Sequence, residues 1–299
     1  MKNFLKIEDF SKQEIDLIFK IINQVKLNYP FNPSKNDGLT AINFFAEPST
    51  RTRFSFERAF YYLNIPVMTS ADAFLSSSLK KGESLKDTFR TLSQYSDLIV
   101  FRHPDENWID YAKYSRVPVI NAGNGSGEHP TQALLDLYTI KAELGNFDNK
   151  KVLICGDLHY GRTVHSLIKL LEQNNCKIFT CPSSCQFDSV ESFLSLPNSK
   201  YPQISIEDVP DFLSEVDVLY MTRTQTERFN GHYDFEIFKL NNKTINKLKE
   251  KSVILHPLPR NEEIAEEVDY DPRAAYHERQ VKNGLYTRIA LIKYLLEKR

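Results

Sequence analysis

Residues 44–63 read FFAEPSTRTRFSFERAFYYL, and this stretch decides the fold of the first half of the chain. The apolar run that ends at Phe45 indicates a buried strand. The apolar residues after it recur at the i, i+3, i+4, i+7 spacing of a helix: Phe56, Ala59, Phe60 and Leu63. The pattern therefore predicts a strand that feeds into a helix, with Ser49 as the N-cap. The first turn of such a helix favours bound anions through its unpaired N–H groups and its dipole.

The turn between this strand and this helix is unusually rich in hydroxyl and guanidinium groups. The first turn of a helix normally favours Asp or Glu and disfavours Arg, so Arg51 and Arg53 need a reason to be there. A guanidinium offers a planar fork that matches the oxygens of a phosphate group. The pattern predicts a phosphate site formed by four residues: Ser49, Thr50, Arg51 and Thr52. The alternative is a solvated basic turn above a core helix.

Composition limits the kinds of partner that the chain can have. It has 299 residues, enough for two domains of ordinary size, and a formal net charge of −1. No overall basic field exists to hold nucleic acid or an anionic membrane, so we expect neither partner. No apolar run is long enough for a membrane span, and Glu8 and Asp9 follow the start too soon for a signal peptide. We therefore expect a cytoplasmic protein.

The four cysteines all lie in the second half of the chain, at positions 155, 176, 181 and 185. Their spacing matches no CxxC pair and no nearby histidine ligand pattern. We therefore expect reduced, partly buried thiols and no metal site.

Two further strand ends in the first half carry polar residues. The apolar run 98–101 leads into Arg102, and the run 117–120 leads into a glycine loop that ends at His129. Ligands of α/β sheets bind at the carboxyl ends of strands, so Arg102 is a second cation for the anion site. Pro130 fits the first position of a helix, which places His129 beside the cap. A helix N-terminus disfavours a charged imidazole, and a neutral one can donate to a carbonyl oxygen.

The second half begins with a strand at 152–157 and a helix from about Arg162, which resembles a nucleotide-binding βαβ unit. The residues argue against a nicotinamide enzyme, because Cys-Pro-Ser-Ser at 181–184 stands where an acidic ribose ligand belongs. In the first half, the G-x-G-x-G spacing at 123–127 also differs from the G-x-G-x-x-G motif of dinucleotide-binding proteins. Instead, two strand ends each deliver one arginine, Arg162 and Arg223. Two guanidiniums suit the two ends of a dicarboxylate, although surface ion pairs are the alternative reading.

Five segments together resemble, in order, the motifs of the aspartate and ornithine carbamoyltransferases. They are FxxxSTRTR at 45–53, HPTQ at 129–132, GRT at 161–163, TRTQ at 222–225 and HPLP at 256–259. The resemblance implies an α/β fold of two domains, each a mainly parallel sheet flanked by helices, joined by two interdomain helices. It implies a carbamoyl phosphate-binding domain (1–128 plus 284–299), an interdomain helix (129–145) and an aspartate-binding domain (146–283).

The resemblance also implies an activity and a set of site residues. The family transfers the carbamoyl group of carbamoyl phosphate to an amine, here the α-amino group of L-aspartate in pyrimidine synthesis, and no cofactor is expected. The implied catalytic residues are Arg51, Thr52, Lys81, Arg102 and His129. The implied carbamoyl phosphate ligands are Ser49, Thr50, Arg51, Thr52, Ser77, Arg102, His129, Gln132 and Leu258. The implied aspartate ligands are Lys81, Arg162, Arg223, Gln225, Pro257 and Leu258.

Residues 71–82 are rich in serine, lack a clear period and are predicted to form a loop. In the family this loop reaches the active site of a neighbouring subunit, so the resemblance implies a homotrimer with shared sites to which Ser77 and Lys81 contribute. It also implies a cis Leu258–Pro259 bond that aims two carbonyl groups at the substrates.

Within the family, the residues favour aspartate as the acceptor. Ornithine enzymes usually have cysteine at the position of Thr131 and in place of the first proline of HPLP, Pro257. Two arginines would also repel the cationic side chain of ornithine. Ornithine or another amine acceptor, and a non-catalytic phosphate-binding homologue, remain the alternatives. Residues 229–247 match no part of the family's aspartate loop, and the sequence leaves open whether a regulatory subunit binds.

Overall fold

The computed structural model of the protein describes residues 1–31, 38–185, 200–226 and 235–298. The chain divides into two compact units, one formed by residues 1–135 and 282–299 and the other by residues 136–281. Two helices, Pro130–Leu144 and Arg279–Glu297, each contribute residues to both units. The sequence predicts that the second domain begins at residue 146, after the helix Pro130–Leu144. In the structure the two units divide within that helix, between residues 135 and 136. Within the described residues, no helix is long and apolar enough to cross a membrane.

The first unit is built on a parallel sheet with the strand order β2-β1-β3-β4. Its strands are β1 (Ala41–Phe45), β2 (Val67–Ser70), β3 (Leu98–His103) and β4 (Val119–Asn124). Its helices are α1 (Lys12–Asn28), α2 (Arg51–Tyr62), α3 (Ala73–Ser76), α4 (Leu85–Tyr95) and the start of α5 (Pro130–Leu144). Short 3₁₀ segments occupy Ile7–Asp9, Ser78–Lys81 and Glu106–Tyr114.

The second unit contains another parallel sheet, with the strand order β10-β8-β5-β6. Its strands are β5 (Lys151–Gly156), β6 (Lys177–Pro182), β8 (Val218–Met221) and β10 (Val253–Leu255), while β7 (Ser184–Cys185) and β9 (Phe235–Glu236) form an antiparallel pair. Its helices are α6 (Arg162–Gln173), α7 (Val209–Phe212) and α8 (Asn242–Ile245), and α9 (Arg279–Glu297) passes back to the first unit. Further 3₁₀ segments occupy Leu213–Glu215 and Glu266–Tyr270. The predicted α/β class with parallel sheets is confirmed.

Each parallel sheet reverses its strand order at one point. In the first unit the reversal lies between β1 and β3, and in the second it lies between β5 and β8. The loops that leave such neighbours diverge and open a crevice at the carboxyl edge of the sheet, which is where α/β proteins bind ligands. The register pairs Phe45 with Arg102 and Cys155 with Met221, so the two strands of each pair end within one residue of each other.

The junction between β1 and α2 forms as its sequence predicts. Every residue of β1 is buried. One face of α2 and its C-cap is also fully buried, through the side chains of Phe56, Ala59, Phe60 and Leu63. Burial of a phenylalanine side chain contributes about 1.5–3 kcal/mol. This apolar face holds α2 against the sheet and leaves its first turn at the carboxyl end of β1.

Two predictions about irregular segments are wrong. Residues 71–82 are not a simple loop, because they contain α3 and the 3₁₀ segment Ser78–Lys81. These short turns bury only Ala73, so no apolar period reveals them. The strand predicted at 117–120 extends to Asn124, since the buried Asn121 satisfies its amide by bonding to the Leu5 carbonyl at 2.8 Å and the Gly123 N–H at 2.7 Å.

The capping box at the start of α1 links three parts of the first unit. The sequence Ser-Lys-Gln-Glu at 11–14 is the Ser-x-x-Glu pattern that predicts a capping box, and the Ser11 hydroxyl accepts a hydrogen bond from the Glu14 N–H. The Glu14 carboxylate also forms an ion pair with Lys2 and accepts a 2.6 Å bond from the Tyr294 hydroxyl of α9. Partial burial by itself would raise the pKa of Glu14, but the bonds from Lys2, Tyr294 and Ser11 lower it to about 2.

The substitution Glu14→Gln should therefore destabilise the protein in a pH-dependent way. Because the pKa of Glu14 falls from 4.5 to about 2 on folding, the stabilisation is complete above pH 4.5 and is lost as the pH falls towards 2. Thermal unfolding followed by circular dichroism should show a lower midpoint for the variant at pH 7 and a shrinking difference below pH 4.5. Glu250→Gln, at an exposed position, is the control. A difference that stays constant with pH would contradict this role of the charge.

Candidate functional site

The first part of the site is the turn from β1 into α2. Helix α2 begins at Arg51 and its N-cap is Thr50, so the prediction of Ser49 as N-cap is wrong by one residue. The reason is that the Thr50 carbonyl accepts the first intrahelical bond, from the Phe54 N–H at 3.0 Å, although Thr50 has helical angles, φ −82° and ψ −60°, which are unusual for an N-cap. The Thr50 hydroxyl makes no capping bond to the backbone. An exposed Arg51 and a buried Thr52 thus stand at the positive end of the helix.

His129 lies between two hydroxyl groups in the interior of the first unit. Its Nε2 atom is 3.4 Å from the Thr52 Oγ1 atom, and its Nδ1 atom is 3.3 Å from the Thr131 Oγ1 atom. All three side chains are buried. Helix α5 begins at Pro130, as predicted, and the His129 carbonyl accepts from the Gln132 N–H at 3.0 Å. The imidazole is therefore fixed beside the helix start and in contact with the α2 turn.

Arg102 lies near the carboxyl end of β3 and is held by the loop that follows β1. Its Nε atom lies 3.1 Å from the Glu47 carboxylate, and its Nη1 atom donates to the Ala122 carbonyl at 3.3 Å. The Arg102 side chain is only 11% exposed. Because β1 and β3 are the neighbours at the reversal of the sheet, the carboxylate fixes this guanidinium at the crevice.

Ser77 and Lys81 lie apart from this group. The Ser77 hydroxyl accepts a 3.2 Å bond from the Leu79 N–H at the start of the 3₁₀ segment, and Lys81 is exposed at its end. Within the described part of the chain, no hydrogen bond or ion pair joins either residue to Arg51, Thr52 or His129. The structure thus brings Thr52 of α2 into contact with His129 at the start of α5, and it shows no such contact for Ser77 or Lys81 in the described residues.

In the second unit, both predicted arginines lie at the reversal of the sheet. Arg162 is the first residue of α6, after the loop from β5, and Arg223 stands two residues after the end of β8. Both side chains are partly buried, and the Arg223 Nη1 atom donates to the Thr224 carbonyl at 3.2 Å. The ends of two neighbouring strands therefore each present one guanidinium at the same edge of the sheet.

A buried carboxylate that the motifs did not identify connects these two loops. One oxygen of Asp157 accepts from the N–H groups of His159 and Tyr160 at 3.0 and 2.9 Å, and the other accepts from the Gln225 N–H at 3.0 Å. Asp157 is only 4% exposed. Its available sequence signal was an acid directly after a glycine at the end of a buried strand. The same carboxylate therefore sets the backbone on both sides of the crevice.

Gly156 allows the two loops to approach this closely. Its φ is +118°, and a Cβ atom at this position would lie 1.9 Å from the Thr222 carbonyl oxygen. Any side chain would push the β5 and β8 loops apart. Glycine is therefore required here by both conformation and space.

The third strand end of this unit, after β10, carries Pro257 and Leu258. The Leu258–Pro259 bond is cis, as the family resemblance implies, and Leu258 has a φ of +54°. The Leu258 N–H donates to the His256 Nδ1 atom at 2.8 Å, which closes the turn. Among the described residues, no group of three or more His, Cys, Asp or Glu side chains could hold a metal ion.

The first sheet presents hydroxyl groups, an arginine and a buried histidine, and the second sheet presents two arginines. This geometry suits a class of α/β protein that binds two anionic ligands. Residues 2–142 match the aspartate/ornithine carbamoyltransferase carbamoyl-P binding domain, and residues 148–295 match the Asp/Orn binding domain of the same family. The chain belongs to the aspartate/ornithine carbamoyltransferase family.

Relatives match over the full length of the chain. The aspartate carbamoyltransferase catalytic subunit of Clostridium perfringens is 43% identical over 99% of this chain and 98% of the relative. That of Thermoplasma volcanium is 41% identical over the same shares. The multifunctional protein pyr-3 of Neurospora crassa is 43% identical over 98% of this chain, which spans only 16% of that protein.

Solved structures of the family show the same fold. The aspartate transcarbamoylase of Trypanosoma cruzi, in complex with carbamoyl aspartate and phosphate, has a TM-score of 0.83 and 35% identity over 98% of this chain and 95% of that one. The catalytic subunit of M. jannaschii aspartate transcarbamoylase has a TM-score of 0.81 and 37% identity over 100% and 99% of the two chains.

The role of Asp157 can be tested without a ligand by the substitution Asp157→Asn. Asparagine keeps one oxygen for the His159 and Tyr160 N–H groups but turns an NH₂ group towards the Gln225 N–H. Loss of one charge-assisted bond of about 1.5–3 kcal/mol should speed amide hydrogen exchange of the 222–226 segment by about tenfold or more. Exchange of the 158–161 segment should change much less. Equal acceleration of both segments, or of neither, would contradict the selective link.

Proposed function

We propose that this protein transfers the carbamoyl group of carbamoyl phosphate to the α-amino group of L-aspartate, giving N-carbamoyl-L-aspartate and phosphate in pyrimidine synthesis. The observation that carries this proposal is the pair of arginine-bearing loops fixed by Asp157 at the reversal of the second sheet. The solved Trypanosoma cruzi enzyme, which shares the fold, is described in complex with carbamoyl phosphate and aspartate.

Carbamoyl phosphate binds to the first unit in this proposal. Its phosphate meets the start of α2, where the side chains and N–H groups of Ser49, Thr50, Arg51 and Thr52 supply donors at the positive helix end. Gln132 and His129 contact the carbamoyl group. The support for this assignment is that Thr52 and His129 lie within 3.4 Å of each other, so one small group can meet both.

Chemistry follows from the charges that develop during transfer. The amine nitrogen attacks the carbamoyl carbon, and the bond from that carbon to the phosphate oxygen then breaks. Thr52, Arg102 and His129 stabilise the oxyanion that grows on the carbonyl oxygen, and Arg51 stabilises the charge on the departing phosphate. The phosphate itself takes the proton from the amine, since none of the proposed site residues is a carboxylate. Orientation and preorganised charge do most of the catalysis.

The second unit binds the acceptor. Arg162 and Arg223 each take one carboxylate of aspartate, Gln225 contacts the same ligand, and the carbonyls of Pro257 and Leu258 accept from the amine and the carbamoyl nitrogen. The amine must be neutral to attack. Ornithine carries a positive side chain that two guanidiniums would repel, so aspartate is favoured over ornithine.

The assembly proposed is a homotrimer with active sites shared between subunits. Two observations support it. Exposed apolar side chains lie on α2 and α3, among them Phe54 (51%), Tyr61 (78%), Phe74 (52%) and Leu75 (58%), and such groups mark interaction surfaces. Ser77 follows α3 and Lys81 ends the 3₁₀ segment after it, and in the described part of the chain no bond joins either residue to Arg51, Thr52 or His129. A cytoplasmic location and binding of a regulatory subunit stay open predictions.

Phosphate release from carbamoyl phosphate, measured with L-aspartate and L-ornithine in parallel, tests the proposal. Release should depend on aspartate, and Arg51→Ala should lower turnover by about 10² or more, as loss of one oxyanion-type donor does elsewhere. Arg58→Ala is the control, because Arg58 lies on the same helix but donates to Tyr29 at 3.0 Å. Release with ornithine alone, or with neither acceptor, would refute the assignment.

The substitution Arg223→Ala should chiefly raise the KM for aspartate, by about tenfold or more, because it removes a charge-assisted contact to a carboxylate. The KM for carbamoyl phosphate should change little, since that ligand is assigned to the other unit. Arg279→Ala serves as the control, as Arg279 pairs with Glu143 at 2.9 Å near the surface. An unchanged aspartate saturation curve would count against the carboxylate contact.

A further inference from the structure

A buried chain of side-chain hydrogen bonds runs through the second unit and ends at the turn after β10. The Tyr220 hydroxyl donates to one oxygen of Asp136 at 2.8 Å, and the Gln280 amide donates to the other at 2.6 Å. The Gln280 carbonyl oxygen in turn accepts from the His256 N–H at 3.0 Å. All four residues are at most 2% exposed. Side chains from β8, α5 and α9 thus converge on the first residue after β10.

The first link of this chain has a defined donor. Burial and the neighbouring Asp136 carboxylate raise the pKa of Tyr220 well above its ordinary value. The phenol therefore keeps its proton and donates a hydrogen bond to the carboxylate. Asp136 receives two donors, which balances its buried charge.

The imidazole of His256 is also satisfied on both nitrogens. Its Nδ1 atom accepts from the Leu258 N–H at 2.8 Å, so the ring proton must be on Nε2, which lies 2.8 Å from a Glu263 carboxylate oxygen. That oxygen also accepts from the Asn261 N–H at 3.0 Å. Burial alone would raise the pKa of Glu263, but bonds from His256 and the backbone hold it below its ordinary value. One tautomer of His256 is therefore specified by its neighbours.

The turn that His256 closes is not a relaxed one. Leu258 has a φ of +54°, which is a left-handed conformation. For any residue other than glycine this conformation is unfavourable in free energy, and it persists only where the surrounding structure enforces it. The Leu258 N–H bond to His256 is the local enforcement seen in the structure. Because the orientation of a carbonyl depends on these backbone angles, the same bond sets where the Pro257 and Leu258 carbonyls point.

We propose that His256 is a positioning residue for the reaction: the Nδ1 lone pair of its Nε2–H tautomer holds the Leu258 turn so that the Pro257 and Leu258 carbonyls meet the acceptor amine and the carbamoyl nitrogen. This inference rests on the proposed function. A purely structural histidine would stabilise the unit through Glu263 and Gln280 alone. In the proposal, the bond from the Leu258 N–H to Nδ1 has a separate role: it fixes the turn and thereby contributes to substrate binding.

Two substitutions separate the two faces of the imidazole. In His256→Asn the side-chain oxygen lies near the position of Nδ1 and still accepts from the Leu258 N–H, two residues along the chain. In His256→Gln the amide lies near the position of Nε2, so the bond to Glu263 survives and the turn loses its acceptor. The assay is steady-state phosphate release at saturating carbamoyl phosphate, with thermal unfolding measured on the same full-length samples.

We expect His256→Gln to raise the KM for aspartate by about tenfold or more and His256→Asn to raise it by less than about threefold, whatever the unfolding midpoints. Equal KM values for both variants would overturn the proposal. Selective ¹⁵N labelling of histidine in the wild-type protein gives a second test that needs no variant to fold. A neutral His256 protonated on Nε2 supports the proposal, and protonation on Nδ1 overturns it.

Failure of the proposed function gives a different result from failure of this inference. The former shows in the wild-type protein, as phosphate release that does not depend on aspartate. The latter leaves the dependence on aspartate intact. It shows in the variants, as a KM for aspartate that follows folded stability and not the presence of an acceptor at the Nδ1 position, or in the ¹⁵N spectrum of the wild-type protein, as protonation of His256 on Nδ1.

Discussion

The carboxylate of Asp157 accepts backbone hydrogen bonds from two loops that leave neighbouring parallel strands. Parallel strands run in the same direction, so their carboxyl ends come together, but nothing in the sheet itself sets the distance between the loops that follow. Here the buried Asp157 carboxylate, on a short side chain, sets the distance between the two loops. The close packing of Gly156 against the Thr222 carbonyl makes this approach possible. The geometry of both arginine-bearing loops depends on this one group.

The same device recurs at the other strand ends. Glu47, after β1, holds Arg102 near the end of β3, and His256, after β10, holds the turn at Leu258. In each case a polar side chain at the end of one strand bonds to the loop or side chain beside it. A parallel sheet places these ends at one edge, and the polar links give that edge its shape. The positions of reactive groups are therefore determined by residues that need not touch any ligand.

Residues with a strong local signal could be predicted from the sequence. The apolar period of α2, the capping box at Ser11 and Glu14, and Pro130 at the start of α5 were all visible, because each depends on neighbours within a few positions. Arg51 and His129 could be recognised because their types are unusual at helix starts, and Arg102 and Arg223 because they end or follow apolar strands. The Ser49 cap was wrong by one residue, since Ser and Thr are both good caps and the sequence does not show that the first intrahelical bond ends on the Thr50 carbonyl.

The supporting residues could not be predicted in this way, since their partners are distant along the chain. Asp157 is 68 positions from Gln225, and Asp136 is 144 positions from Gln280. Aspartate often follows glycine, and glutamine is common in helices, so neither residue stands out in the sequence. Only the fold shows which partner each one bonds to. The short turns at 73–81 were missed for a related reason, because they bury too little apolar surface to show a period.

The first unit is made from two separate parts of the chain, and this has a consequence for biosynthesis. Tyr294, near the end of α9, bonds to Glu14, 280 positions earlier. Residues 136–281 leave the ribosome before residues 282–299 do, so the second unit has all its residues while the first still lacks the helix that completes it. Domains that fold during synthesis usually do so from the N-terminus. Here the order of completion is reversed, because the second unit is complete before the chain adds the residues of α9 that belong to the first unit.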